Sequence, residues 1–442
     1  MVNFKKYTDR NFFFTLLIFS SLHFTVAFAK PLKIDVSAQS AILINAETGA
    51  ILYEKNAHTH LPPASITKIA TALYVLEKKQ NFLNELAAAA APEIVGVASA
   101  MLKRTNKTLH PSYRLEPDGT NMAIRVGEKL SLQTLIYGLM LASANDAANV
   151  LAHHISGSIP QFLEDLNVYF KEKGFHETHF TNPHGLHDSG HYTTAYDLAR
   201  ITQEAMKNPF FREVVSTVHY PREATNKQPS SILVQHNRLL KRGPFFYPKA
   251  IGVKTGYHSD AGHTFVAAAK DENRTLIAVL LNCPDNNSKY KDAIALFEAA
   301  FTEAKMARTL FSKQHDTFTR AIRGAKDLVV AGLKEDVSIF YYLSEEPEIK
   351  AFLHWQAVEM PLVKNQHLGE VHIVTSQGEI LKKAPLFAVN DAEKTLAFKM
   401  IEGWHRLKHV VFRKESILVF LMLFVTVWAM IVYRKKEEEI TS

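Results

Sequence analysis

The 442-residue sequence predicts an α/β protein: a mixed sheet with helices on its faces, then a small all-β domain and a C-terminal transmembrane helix. Three observations predict it. Two hairpin patterns bracket a long helix-rich stretch, the helical periodicity gives way from about residue 312 to short β-type runs, and Ser416 to Tyr433 carries no charge. Composition sets the frame, since 47% hydrophobic and 21% charged residues are globular values and the length allows two to three domains of roughly 150 residues. The net charge of +7 is mild and contains no polybasic block that could track a phosphate backbone, which argues against a nucleic-acid partner. A single cysteine, Cys283, permits neither an intrachain disulfide nor a thiolate zinc cluster.

In chain order, Lys5, Lys6 and Arg10 precede an uncharged run from Asn11 to Ser20 and the small-residue end Ala27-Phe28-Ala29. That is the pattern of a cleavable secretory signal over residues 1–29. Residues 41–54 are two β-rich runs around Glu47-Thr48-Gly49, a hairpin. After Pro62-Pro63 the run from Ser65 to Lys79 has helical period and no breaker, and 128–156 and 160–174 repeat that pattern, the second stopped by Gly174. Residues 91–122, polar and irregular, form a surface excursion. The runs 263–269 and 275–282 around Asp271-Glu272-Asn273 make a second hairpin, followed by a helix from about Tyr290 to Lys305, and this first domain occupies 30–308. Over 309–398, Val337 to Leu343, Phe352 to Val358 and His372 to Thr375 belong to a separate β domain.

Over 399–414, Ile401, Trp404, Leu407 and Val411 recur at helical spacing between Arg406, Lys408, Arg413 and Lys414. This is either an amphipathic helix at the outer membrane interface or a solvated connector. The span over 415–433 includes 18 uncharged residues, about 27 Å of helix at about 1.5 Å per residue. Arg434-Lys435-Lys436 then opens a cytoplasmic tail over 434–442, which agrees with a signal that leaves everything before the span outside.

Three strings carry chemistry. In Ser65-Ile66-Thr67-Lys68 the serine opens a helix and the lysine lies one turn on, so a hydroxyl at the positive end of the macrodipole faces an amine. Among other cations and away from water, such a lysine loses proton affinity and can take the seryl proton. A lone pair of this kind is also an ordinary cap with a solvated lysine. Ser143-Ala144-Asn145 falls in a tight helix-to-helix turn that presents a hydroxyl beside an amide, or only turn and cap chemistry. Lys254-Thr255-Gly256 ends an Ile251-Gly-Val strand, where an edge can pair with an extended peptide and Gly256 permits close approach.

In order and context the three strings are similar to those of the serine D-alanyl-D-alanine carboxypeptidases, the low-molecular-mass penicillin-binding proteins of peptidase family S11. The resemblance covers roughly residues 35–305 and includes Tyr137-Gly-Leu-Met-Leu, Asn145-Asp-Ala-Ala, Asn182-Pro-His-Gly-Leu and His191-Tyr-Thr-Thr-Ala-Tyr-Asp-Leu. It implies a penicillin-binding/β-lactamase-like transpeptidase fold, an antiparallel sheet flanked by helices. It further implies acyl transfer on the D-Ala-D-Ala end of peptidoglycan stem peptides, with Ser65 as nucleophile, Lys68 as its base, Ser143 as proton relay and Asn145 contacting Lys68 or the substrate amide. Lys254, Thr255 and Gly256 bind substrate, and the backbone N–H of Ser65 and one near His258 form the oxyanion hole. No cofactor or metal is implied. The expected partners are stem peptides, β-lactam antibiotics, membrane lipids and cell-wall or division proteins at the β domain, and the expected place is the outer face of a bacterial inner membrane.

Three departures stand out. Ala144 replaces the more usual glycine and narrows the turn, residues 91–122 lengthen the interval between the first two strings, and Lys289 or Lys291 stands where the family often has an arginine for the substrate carboxylate. His236 and Arg238 are the next candidates for that counter-charge. Three other readings compete. A class A β-lactamase needs Glu-x-x-Leu-Asn, and Glu164-Asp165-Leu166-Asn167 is one residue short. A zinc enzyme would have to use His184, His187 and His191, without a His-Glu-x-x-His string. A catalytically idle penicillin-binding scaffold would not need Ser65, Lys68 and Lys254 intact.

Overall fold

The structure is a computed structural model that describes residues 29–90, 111–117, 119–272, 274–411 and 421–430. Residues 1–28 of the expected signal, 91–110 of the excursion, and 412–420 and 431–442 around the expected span lie outside the described residues. Residues 421–430 are helical, and among the described residues no helix is long and apolar enough to cross a membrane. Two compact units divide the chain, Phe28–Met306 with Tyr341–Glu346, and Ala307–Phe340 with Pro347–Ser442.

The first unit begins with the hairpin of β1 (Ser40–Asn45) and β2 (Ile51–Lys55). After α1 (Lys68–Lys79), the short strands β3 (Leu86–Ala88) and β4 (Lys129–Ser131) pair across the excursion. Helices α2 (Leu132–Met140), α3 (Asn145–Ser156), α4 (Ile159–Glu172), α5 (Ala195–Lys207) and α6 (Pro209–Ser216) follow, and β5 (His219–Arg222) pairs with β6 (Ser231–Val234). The stretch 128–156 is thus a strand and two helices rather than one helical run. Caps explain the breaks: Ser131, Ser158, Thr194 and Asn208 each accept the backbone N–H three residues on.

Strands β7 (Ala250–His258), β8 (Gly262–Asp271) and β9 (Arg274–Cys283) complete a sheet ordered β2-β1-β9-β8-β7, and α7 (Ser288–Phe301) closes the unit. Every pairing in this sheet is antiparallel, so the expectation of a mixed sheet is corrected. Side chains alternate between its faces. Ile42, Ile44, Val266, Ala268, Ile277 and Val279 join the core under α1 to α6, while Ala41, Leu43, Phe265, Ala267, Ala278 and Leu280 pack against Tyr290, Leu296 and Phe297 of α7. Each fully buried Ile, Leu or Phe contributes about 1.5–3 kcal/mol, and this two-sided core makes β7 a rigid edge for the site.

In the second unit an antiparallel five-stranded sheet runs β11-β12-β16-β15-β14. β10 (Lys305–Phe311) pairs with β13 (Val337–Tyr342), and the sheet comprises β11 (Thr317–Arg320), β12 (Val329–Leu333), β14 (Ile349–Trp355), β15 (His367–Thr375) and β16 (Ile380–Ala388). Leu368, Val371, Ile373 and Leu386 are among its buried residues. Helix α8 (Leu396–Val411) follows, with Leu396, Met400, Ile401 and Trp404 exposed.

Candidate active site

Ser65 lies in a 3-10 turn, Ala64–Thr67, and the α-helix begins only at Lys68. Two glycines let neighbouring backbone reach this turn. A Cβ on Gly185, whose φ is +94°, would collide with the Ala64 carbonyl, and one on Gly256 would stand 3.0 Å from the Ser65 nitrogen. The Ser65 turn is therefore clamped between the 182–186 loop and β7, and Thr264 Oγ1 adds a 2.8 Å bond to the Pro63 carbonyl. The Lys254-Thr255-Gly256 string sits inside a nine-residue strand rather than at its end, and that strand is a sheet edge.

Lys68 is fully buried, with Nζ 3.0 Å from Ser65 Oγ, 2.7 Å from Asn145 Oδ1 and 2.6 Å from the His184 carbonyl. Burial holds its proton affinity well below that of an ordinary lysine, the charge of Lys254 lowers it further, and Asp146 opposes both. Lys254 is buried too and donates to the Thr255 carbonyl at 2.9 Å. Burial, and then the charge of Lys289, push it down to about 7.

Ser143 takes φ +59° in the turn between α2 and α3, and Thr120 Oγ1 donates to its carbonyl at 2.6 Å. Ala144 has φ −66° and is buried, so the position does not call for glycine, and its methyl joins the core. Asn145 N donates to the Thr120 carbonyl at 2.9 Å. The described end of the excursion is thus bound to the second string instead of lying loose on the surface. Ser143 Oγ makes no hydrogen bond among the described residues, while Lys68 contacts both Ser65 and Asn145 directly.

Of the three histidines that could have suggested zinc, His184 and His191 are committed to the scaffold by hydrogen bonds at both ring nitrogens. His191 Nδ1 accepts from Thr181 N at 3.0 Å, so Nε2–H donates to Thr67 Oγ1 at 2.8 Å, and that hydroxyl donates to the Ala64 carbonyl. His184 Nδ1 accepts from Leu186 N, and Nε2–H donates to the Tyr113 carbonyl. Burial pushes both imidazoles down to about 3, which keeps them neutral. His187 stacks on His258 with ring centroids 5.7 Å apart, and His258 Nδ1 lies 3.0 Å from Asp260 Oδ2.

Lys289 falls in the first turn of α7 and is buried, while Lys291 is exposed. No hydrogen bond or ion pair engages Lys289 among the described residues, and burial pushes it down to about 8. Its charge is near enough to depress Lys254 and His263. Arg238 is already occupied, donating to Asn287 Oδ1 at 2.9 Å and covering the Phe245 ring.

A family model described as D-alanyl-D-alanine carboxypeptidase, peptidase S11, matches residues 25–285, more than half of the chain. The chain belongs to this family. Among curated relatives, the D-alanyl-D-alanine carboxypeptidase DacF of Bacillus subtilis is 29% identical over 378 residues, covering 84% of this chain and 91% of that protein. A D-alanyl-D-alanine carboxypeptidase of Streptomyces is 32% identical over 61% of this chain and 89% of its own length. Of solved structures, penicillin-binding protein 5 from Haemophilus influenzae matches with TM-score 0.54 at 25% identity, over 82% of this chain and 99% of that one. The Streptomyces K15 DD-transpeptidase matches with TM-score 0.53 at 29% identity, over 61% and 98%. The fold is the α/β penicillin-binding fold of this family.

Sequence reasoning missed three contributors: the His184 carbonyl, Thr120 and Asp146. A backbone acceptor leaves no mark in residue type, although the string Asn182-Pro-His-Gly-Leu carries it. Thr120 lies in a stretch with no periodicity to read.

Proposed function

We propose that the chain removes the terminal D-alanine from peptidoglycan stem peptides through an acyl-enzyme on Ser65, with Lys68 as general base. The observation that carries this reading is the set of three contacts at Lys68 Nζ. A neutral amine has two N–H bonds and one lone pair. The His184 carbonyl and Asn145 Oδ1 can only accept, so they take both N–H bonds and leave the lone pair for the Ser65 hydroxyl 3.0 Å away. The buried, cation-flanked lysine is therefore set up to receive a proton.

As Lys68 takes the hydroxyl proton, Ser65 Oγ bonds to the penultimate D-Ala carbonyl carbon. The oxyanion is met by the Ser65 N–H and a second one from β7 near His258, the strand edge that packs on the Ser65 turn. The amide C–N bond breaks as Ser143 passes its hydroxyl proton to the leaving amine and is reprotonated by Lys68, so that D-alanine departs with the proton taken from Ser65 while Lys254 maintains the local positive charge. Water then attacks the ester and releases the shortened peptide. Thr255, Gly256 and Lys289 hold the terminal carboxylate end of the substrate against β7. A β-lactam enters the same cycle, but its ring-opened leaving group stays attached.

The leader-like residues 1–29 and the uncharged stretch 416–433 support a protein held by one span with the first unit outside the cytoplasm, and the exposed apolar residues of α8 suit the membrane interface. The expected test of the catalytic reading is labelling by a fluorescent penicillin together with a D-alanine release assay. Wild type labels once and releases D-alanine, and Ser65→Ala does neither. Labelling of Ser65→Ala at wild-type stoichiometry would transfer the nucleophile role to another residue.

A further inference from the structure

Asp146 follows Asn145 in the first turn of α3 and is 2% exposed. No cation pairs with its carboxylate among the described residues. The carboxylate instead accepts Met122 N at 3.0 and 3.1 Å, Ile124 N at 2.9 Å and Ala147 N at 2.9 Å. Two of those donors belong to the segment that returns from the excursion. The same segment is tied to the turn by Thr120, as described above, and upstream by Asn149 Nδ2, which donates to the Tyr113 carbonyl at 3.0 Å. A buried carboxylate needs such N–H donors to replace its water. Here they also fasten one segment across another.

We propose that Asp146 is a positioning residue for acylation, pinning residues 122–124 across the Ser143 turn and supplying the negative charge that opposes Lys254 at Lys68. The inference rests on the reading of Lys68 as general base. The groups that face Lys68 are Lys254 from β7, His184 and His191 from the 179–193 loop, His236 from the segment before β7, and Asp146 from α3. Burial is the largest influence on Lys68, and since the two buried histidines are neutral, the charges that add to it are Lys254, in the same direction, and Asp146 against both. Burial raises the Asp146 carboxyl while its N–H donors pull the other way. With the carboxylate present, Lys68 keeps its proton to a higher pH than it would beside Lys254 alone.

The experiment is the pH dependence of penicillin acylation by full-length protein, whose acid limb reports the protonation of the base. In Asp146→Asn the opposing charge is gone, and the limb moves to lower pH by about one unit. The rate at the optimum also falls, because an amide has one accepting oxygen: placed to keep Met122 and Ile124, it turns its NH2 toward the Ala147 N–H that Oδ1 now accepts. Asp146→Glu keeps the charge and leaves the limb in place, and Thr120→Val slows acylation without moving it. An acid limb unmoved in Asp146→Asn, or moved equally in Asp146→Glu, overturns the electrostatic role. Should Asp146→Asn fail to fold, hydrogen exchange on the wild type still tests the pin, since 119–124 and 142–147 should open as one unit. Independent exchange of the two segments overturns it. Absence of acylation in the wild type defeats the catalytic reading itself, a different outcome from acylation with an unmoved limb.

Discussion

Lys289 offers the sharpest test of how substrate is recognised. A peptide ending in a free carboxylate must exchange its water for protein donors, and Thr255 alone cannot neutralise the charge. Lys289 is 3% exposed and makes no hydrogen bond or ion pair among the described residues, its Nζ lying 5.3 Å from the Tyr290 ring centroid, and burial pushes it from the ordinary 10.5 down to about 8. That depression corresponds to about 3 kcal/mol against the ammonium form, part of which an arriving carboxylate returns. A charged hydrogen bond contributes about 1.5–3 kcal/mol, so Lys289→Ala should lower kcat/KM for a D-Ala-D-Ala acid by about 10–150-fold.

The pH dependence has a definite sign. A lysine with a depressed pKa gives up its proton as pH rises through about 8, so KM for the acid should climb on the alkaline side with kcat little changed. The assay compares the D-Ala-D-Ala acid with its terminal amide from about pH 6 to about pH 10 in wild type, Lys289→Ala and Lys289→Arg. Lys254 is pushed down to about 7, so its titration falls below the alkaline climb expected of Lys289. Lys289→Arg should remove the alkaline climb, because a guanidinium stays charged across the range. An unchanged acid-to-amide ratio in Lys289→Ala refutes the assignment. If the ratio also survives loss of Lys291, Arg238 and His236 are next.

Two other expectations follow from the chemistry and the sequence. Lys68→Ala should slow acylation by about 100 to 10,000-fold, and a near-normal rate measured by stopped-flow labelling would remove it from the mechanism. The mature protein should resist extraction from membranes by high salt and carbonate, while a chain ending after residue 398 should be soluble and active. Release of the full-length protein by salt would show that 416–433 does not span.

Ser65 and Lys68 were legible because a three-residue spacing puts them on one face of either a 3-10 turn or an α-helix, so the error about the helix start did not disturb the pair. The strand at Lys254 was legible as β, but its length was not. Tyr257 and His258 continue the pairing with His263 and Gly262, past Gly256 where the sequence reading ended the strand. The antiparallel sheet came only from the family resemblance, and the residue pattern alone read a mixed one, because β1 pairs with β9, more than 200 residues away, and such pairing leaves no local pattern. The break at Ser143 was seen as a turn from its residue types, but not its positive φ nor the bond its carbonyl accepts from Thr120 Oγ1, in a segment the sequence marked only as irregular.

On the proposed assignment, the two buried lysines divide one task. Both sit within each other's field away from water, so a proton on one makes a proton on the other costlier. The contacts of Lys68 serve the ammonium and the neutral amine alike, because the Ser65 hydroxyl can accept or donate, whereas Lys254 donates to the Thr255 carbonyl. A substrate carboxylate near Lys289 would favour the ammonium form at both Lys289 and Lys254, and a firmly charged Lys254 lowers the proton affinity of Lys68 in turn. Binding of the correct peptide end thereby drives the base toward the form that can accept the Ser65 proton. A substrate without the carboxylate forfeits that push as well as its anchor, so the amide should lose in kcat where Lys68 is still partly protonated, on the acid side, and in KM across the range.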